Sequence, residues 1–111
     1  MSELTELQEQ KKILDAIIAF GDKVERLENN ADFKDVILEG YCVNEMKRCM
    51  SLAVAEKADP SLRELALQMA KSAATLENFL ALLKQQSAIA KGDLEEVSNS
   101  ILELETKGEE E

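Results

Sequence analysis

Few residues in this sequence belong to the types that carry out chemistry. The chain contains no histidine, which is the commonest general base, metal ligand and proton carrier in proteins. Catalysis would therefore need carboxylates, lysine, tyrosine or cysteine. The sequence also has no glycine-rich phosphate loop, no nucleophile elbow around a serine and no CxxC pair. We expect a protein that is not an enzyme.

Four sulfur-bearing residues share a predicted helix face and could in principle form a cluster of metal ligands. They are Cys42, Met46, Cys49 and Met50. Soft ligands select thiophilic metals, but four sulfurs on one straight helix cannot surround an ion, and Met and free Cys are ordinary core residues. The two cysteines rise about 10.5 Å apart on a helix, too far for a disulfide within the chain. We expect reduced thiols, no metal and no cofactor.

The net charge of −10 is concentrated at the C-terminal end. From Gly92 to Glu111 there are 8 acidic residues against Lys107 alone, a net charge of −7. A phosphate backbone would be repelled by such a chain, so direct nucleic-acid binding is not expected. The acidic run has three interpretations: a solvated helix face, a docking surface for a basic partner, or a mimic of nucleic-acid phosphates.

The composition predicts one all-helical domain. A chain of 111 residues is long enough for one core. Hydrophobic residues make up 45% of it and aromatics only 4%, so the core must be aliphatic, which favours helices. No apolar run approaches the roughly 20 residues that cross a bilayer, so no membrane partner is expected. We expect a domain over 1–106 and a disordered acidic tail over 107–111.

Two antiparallel helices are predicted at the start of the chain, over about 3–28 and 32–57. The first has apolar residues on one face, at Ile13, Ile17, Phe20, Val24 and Leu27. Asn29 and Asn30 end it, and Asp32 is the expected N-cap of the second. The second helix is apolar on most sides, as central helices are. Gly40 in its middle predicts close approach of another backbone, since glycine there costs about 1 kcal/mol relative to alanine.

A long third helix is predicted from Pro60, which suits a first helical turn. It carries an apolar stripe at heptad spacing that runs through Leu62, Leu65, Met69, Ser72, Leu76, Phe79 and Leu83. One extra step of four residues leads into a second part with Ser87, Ala90, Leu94, Val97, Ile101 and Leu104. Gly92 either ends a helix, so that the last piece folds back as a fourth helix capped by Asp93, or is tolerated in a continuous helix over 60–106, which we favour. The fold predicted is a three-helix bundle whose long third helix extends or kinks there.

The stripe can pack within the chain or against another molecule. Before Gly92 both interpretations remain open. After Gly92 we expect an intermolecular contact, because a continuous helix of about 70 Å would reach well beyond a compact domain of this size.

One segment resembles a known group of proteins. Residues 26–41 read RLENNADFKDVILEGY. With its DFKDVILEGY centre and the acidic helix later in the chain, this sequence resembles small helical proteins encoded among the virion-assembly genes of tailed bacteriophages. The resemblance implies a structural or assembly component in the virion or host cytoplasm. It implies oligomerisation and binding to other virion or host proteins rather than catalysis.

We therefore predict a non-catalytic phage structural or assembly protein that forms homo-oligomers. The residues expected to carry the association are Leu76, Phe79, Leu83, Leu94, Val97, Ile101 and Leu104. The carboxylates expected to face a partner protein are Glu95, Glu96, Glu103 and Glu105. In the alternative function, the same carboxylates imitate phosphates and block a nucleic-acid-binding protein.

Overall fold

The computed structural model describes residues 2–110, and this part of the chain is helical apart from short connections, without strands. Helix α1 spans Glu3–Glu28. Helix α2 covers residues 31–53 in three consecutive stretches, Ala31–Phe33, Lys34–Glu45 and Met46–Ala53. Helix α3 spans Pro60–Glu110. The prediction of an all-helical fold is confirmed.

Helix α2 begins and ends at different residues from those the sequence predicted. Asn30 is its N-cap rather than Asp32, because Asn30 has an extended backbone and its side-chain oxygen accepts a hydrogen bond from the amide of Phe33 at 3.0 Å. The helix ends at Ala53, four residues before the expected position. The amide of Val54 still donates to the carbonyl of Met50, at 3.3 Å, before the chain leaves the helix.

The middle stretch of α2, Lys34–Glu45, is a π-helix, a form wider than an α-helix in which amides bond to carbonyls five residues earlier. Gly40 lies in this stretch. A Cβ at Gly40 would lie 3.0 Å from the carbonyl oxygen of Asp35, and no other part of the chain comes as close. The expectation that a second backbone packs on Gly40 is therefore wrong, since the crowding comes from the same helix.

Helix α3 begins at a cap formed by Asp59, whose carboxylate accepts from the amide of Ser61 at 2.9 Å. It continues through Gly92 without a break. A Cβ at Gly92 would meet no atom within 4 Å, so no close contact requires glycine there. The helix extends to Glu110, so residues 107–110, predicted to be disordered, are helical, and residue 111 lies outside the described residues.

The chain divides into two compact units. We call Met1–Val24 with Leu83–Glu111 the hairpin unit, because it contains most of α1 and the second half of α3. We call Glu25–Leu82 the thiol unit, because it contains α2, the first half of α3 and both cysteines.

Candidate protein-binding surfaces

The core of the thiol unit is built from sulfur and alanine side chains. Cys42 and Cys49 are 0% and 1% exposed. Cys49 packs with Ala66 and Ala70 of α3, and the partly buried residues around this cluster are Met46, Leu52 and Ala53. Of the four sulfur residues that the sequence placed on one face, Met50 points outward.

The buried thiols of this core pack against neighbouring side chains and are not activated. Burial raises the pKa of the Cys42 thiol, and the negative charge of Glu77 raises it further. A raised thiol pKa keeps the sulfur protonated and unreactive. Among residues 2–110, no group of three His, Cys, Asp or Glu side chains is arranged to hold a metal ion.

An ion pair lies beside this core, on α2. Arg48 donates through Nε to Oε2 of Glu45 at 3.0 Å, and through Nη2 to Oε1. The thiol of Cys49 lies 3.7 Å from the same Oε1. The hydrogen bond from Arg48 holds the pKa of the Glu45 carboxyl below its usual range. This carboxylate is therefore held in its charged form as the partner of Arg48.

The first half of α3 buries three alanines and exposes most of the large residues of the predicted apolar stripe. Ala66, Ala70 and Ala73 are buried. Leu62, Leu65, Met69 and Phe79 of the predicted apolar stripe are instead 46, 54, 42 and 51% exposed. We call this stripe the exposed seam, and its members are Leu62, Leu65, Met69, Ser72, Leu76 and Phe79.

The flank of the exposed seam on the solvent side carries no charge. The residue preceding each of three seam positions is Ser61, Gln68 or Thr75. The hydroxyl of Ser72 donates to the carbonyl of Gln68 at 3.0 Å, and that of Thr75 to the carbonyl of Lys71 at 2.8 Å. These hydroxyls bond within their own helix, so burying them beside apolar groups leaves no donor unsatisfied.

In the hairpin unit, α1 and α3 come closest at Gly21 and Ser87, both of which are buried. A Cβ placed on Gly21 would overlap the Cβ and Oγ of Ser87. Gln10 and Leu14 of α1 adjoin Val97 of α3, whereas residues one turn before Gly21 adjoin Leu83. The two helices of this unit therefore run antiparallel. The importance of Gly21 could not be predicted from the sequence, because a small residue between apolar neighbours gives no periodic signal.

The second part of the stripe lies on the α1 side of α3. Its large members Leu94, Val97, Ile101 and Leu104 are half-buried, as is Leu83 at the end of the first part, and its small members Ser87 and Ala90 are buried. Val97, for example, adjoins Leu14. The stripe after Gly92, expected to face another molecule, is thus partly covered by α1 of the same chain. Leu76, by contrast, is half-buried in the thiol unit, and Phe79 is exposed.

A continuous groove runs along one side of the helix pair in the hairpin unit. Three adjoining depressions of 340, 360 and 260 Å³ form it. Neighbouring depressions share the residues Ile13, Leu14, Ile17, Gln86 and Asp93 as common walls. We call this feature the hairpin groove, and its lining is Gln10, Ile13, Leu14, Ala16, Ile17, Phe20, Leu83, Gln86, Ile89, Ala90, Asp93, Glu96 and Val97.

The predicted acidic residues line two different depressions or lie exposed on α3. Glu96 lines the hairpin groove together with Asp93. Glu103 lies in a separate depression with Leu102 and Lys107. Glu95 and Glu105 are exposed elsewhere on α3. Asp93 was not among the residues predicted to face a partner protein, although its spacing of three residues from Glu96 places both on one helix face.

None of the helices within residues 2–110 has a stretch both long and apolar enough to cross a lipid bilayer. Comparisons of the chain with protein-family models, with curated proteins and with solved structures gave no match.

Proposed function

We propose that this chain is a non-catalytic assembly protein that self-associates through its helices and binds other proteins. The exposed seam carries the proposal, because a heptad stripe of large apolar residues on a folded chain is the pattern by which helices pair. The resemblance of residues 26–41 to proteins from phage virion-assembly genes supports a structural or assembly role in a tailed bacteriophage. Detection of the chain in purified virions or assembly intermediates would support this setting, and absence from both would contradict it.

The energetic reason for association is the apolar area that the exposed seam leaves in water. Burying a large aliphatic or aromatic side chain is worth about 1.5–3 kcal/mol. Leu65 and Phe79 are each about half exposed, so each has roughly half of that free energy still to gain. Because both copies contribute in a self-complementary pair, the gain is counted twice per dimer.

A second copy is the occupant that fits the charge of the exposed seam. The whole chain carries −10, so most pairs of its surfaces repel each other. Gln68, Ser72 and Thr75 add no charge beside the large apolar residues. Two copies can therefore meet along this stripe without bringing like charges together at its centre.

The three-helix bundle with antiparallel α1 and α2 remains a prediction.

The test is size-exclusion chromatography with light scattering. We expect the wild-type chain to exceed its monomer mass at tens of micromolar, on the order of the concentrations at which modest apolar interfaces form. Replacing Leu65→Glu and Phe79→Glu together should restore the monomer mass without loss of helicity, because both side chains are already exposed.

The matched control replaces two other exposed leucines of the same half of α3, Leu67→Glu and Leu82→Glu. This control adds the same charge outside the exposed seam and should keep the wild-type mass. A wild-type chain that stays monomeric would refute self-association. Equal dissociation of both double variants would show that charge, and not the exposed seam, controls the mass.

A further inference from the structure

We infer that the hairpin groove binds an amphipathic helix of another protein, whose apolar face is flanked by lysine or arginine side chains. This inference concerns the hairpin unit and a different partner. It does not depend on the self-association proposed for the exposed seam.

The floor of the hairpin groove is apolar and open to solvent. Ile13, Phe20 and Ile89 are 62, 50 and 57% exposed, although all three line the groove. Along α1 the lining extends from Gln10 to Phe20, a length of about 15 Å at 1.5 Å per residue. Large apolar side chains gathered over such a length are characteristic of a protein-binding surface.

The shape of the hairpin groove suits a helix. Close approach at Gly21 and Ser87 holds α1 and α3 side by side in this unit. Two helices in contact leave a channel between their outer flanks, and in helical bundles a third helix fills such a channel. A bound helix would place side chains at positions i, i+3, i+4 and i+7 in the adjoining depressions, as in other helix-in-groove complexes.

The charge of the hairpin groove selects the partner. Asp93 and Glu96 are the charged residues of its described lining, and no lysine or arginine belongs to that lining. Gln10 and Gln86 supply uncharged hydrogen-bonding groups at its edges. A helix with basic residues beside its apolar face would pair with these carboxylates as it buries the isoleucines.

A second copy of the chain fits the hairpin groove poorly. The segments that form the hairpin unit, residues 1–24 and 83–111, contain 13 acidic and 6 basic residues, a net charge of −7. Bringing two such units together would place like charges next to each other, whereas a basic helix gains attraction at the same place. The observations therefore favour a different protein as the occupant.

The first experiment measures binding of a designed probe by fluorescence anisotropy. The probe is a labelled peptide of about 18 residues, long enough to form a helix, with leucines at heptad a and d positions and lysines elsewhere. The control peptide has glutamate in place of every lysine. We expect the full chain to bind the lysine peptide, with affinity that falls as salt is added, and not the glutamate peptide.

The second experiment locates the probe. Replacing Ile13→Ser and Ile89→Ser together should weaken binding about tenfold or more, since each contributes apolar area worth roughly 1 kcal/mol. Leu102→Ser is the matched control, because Leu102 is as exposed as Ile13 but lies in a separate depression. It should leave the affinity unchanged.

A charge variant tests the same surface without removing apolar groups. Asp93→Asn with Glu96→Gln should weaken binding several-fold, on the order of 1 kcal/mol, and flatten its salt dependence. Glu103→Gln with Glu105→Gln changes the net charge equally, outside the hairpin groove, and should have a much smaller effect.

Three results would overturn the inference. They are absence of binding by the lysine peptide, equal weakening by groove and control variants, and a change in the mass of the free chain caused by the groove variants. The last result would make a second copy the occupant. The Leu65→Glu, Phe79→Glu chain should still bind the probe, so failure of self-association and failure of this inference are distinguishable.

Discussion

Both halves of α3 bury small side chains, but they differ in how far they cover the large apolar side chains of the stripe. In the thiol unit, α3 buries Ala66 and Ala70 and exposes Leu65 and Phe79. In the hairpin unit, it half-buries leucine, valine and isoleucine on the side that adjoins α1. Small side chains let two backbones approach closely, and the larger residues beside them then remain outside the contact. A regular apolar stripe along one helix therefore does not identify a single partner.

The largest effect on stability is expected from breaking the contact between the second half of α3 and α1. Replacing Val97→Glu and Ile101→Glu together places two carboxylates on the side of α3 that adjoins α1. We expect the free energy of unfolding to fall by about 2–4 kcal/mol, because apolar contacts are lost and charges are partly desolvated. Urea unfolding followed by circular dichroism measures the change.

The Leu65→Glu, Phe79→Glu chain is the comparison for that variant. It carries the same two charges on the first half of α3, at residues that are exposed. At a protein concentration where neither this variant nor the wild-type chain self-associates, the two should unfold at nearly the same urea concentration. If the two double variants were equally stable, the contrast between the halves would be wrong.

A smaller effect is expected at the closest approach in the hairpin unit. Gly21→Ala would place a methyl group against Ser87, and overpacking of this kind costs about 1–3 kcal/mol, more than the helix propensity that alanine gains. Adding Ser87→Gly should remove the clash, so the double variant should be more stable than the sum of the single changes predicts. Additive changes in the free energy of unfolding would show that the two residues do not touch.

A second glycine of the hairpin unit, Gly92, should respond with the opposite sign. Gly92 lies within α3, is exposed, and a Cβ there would meet no atom within 4 Å. Gly92→Ala should therefore raise the free energy of unfolding by about 0.5–1 kcal/mol through helix propensity alone. A loss of stability in the same urea measurement would show that the position needs glycine.

The smallest effect concerns the exposed ion pair of the thiol unit. Arg48 lowers the pKa of Glu45 in the folded chain, so the pair contributes stability above the unfolded glutamate pKa of about 4.3. That contribution is lost as the pH falls through the lower, folded pKa. Arg48→Gln should be less stable than wild type near neutral pH, and the difference should shrink under acid.

Lys47→Gln serves as the control for charge, since Lys47 is the neighbouring exposed base. Thermal melts between neutral and acidic pH would show the pattern. A difference between Arg48→Gln and wild type that stays constant with pH would contradict the role of Glu45.

Much of the fold could be predicted from the sequence, because helix formation depends on neighbours along the chain. Apolar spacing and the asparagines after Glu28 gave the extent of α1, and Pro60 gave the start of α3. The N-cap of α2 was assigned to Asp32 instead of Asn30, since either side chain can cap a helix and only the backbone conformation decides. The wide stretch around Gly40 had no sequence signal.

The candidate surfaces were less predictable, because they depend on which helix faces which. The heptad pattern identified Leu62, Leu65 and Phe79 as one stripe but could not say whether the chain itself covers them. Ala66 and Ala70 were overlooked because alanine contributes little to a hydrophobic pattern, although it determines how closely helices pack. Asp93 lines the hairpin groove because α1 lies beside it, and the position of α1 could not be read from the sequence.

The central claim is that the first half of α3 contacts a second copy, whereas its second half packs within the chain. Oxidative cross-linking tests it directly, using Ser72→Cys in the middle of the exposed seam and Ser98→Cys as an exposed control in the second half. The native Cys42 and Cys49 are 0% and 1% exposed and should not react in the folded chain.

Because Ser72 lies near the midpoint of the exposed seam, both parallel and antiparallel pairs of copies would bring the two introduced thiols together. We expect the Ser72→Cys chain to form disulfide-linked dimers rapidly and the Ser98→Cys chain to remain monomeric on a non-reducing gel. Equal cross-linking of the two variants, or none in either, would contradict the account.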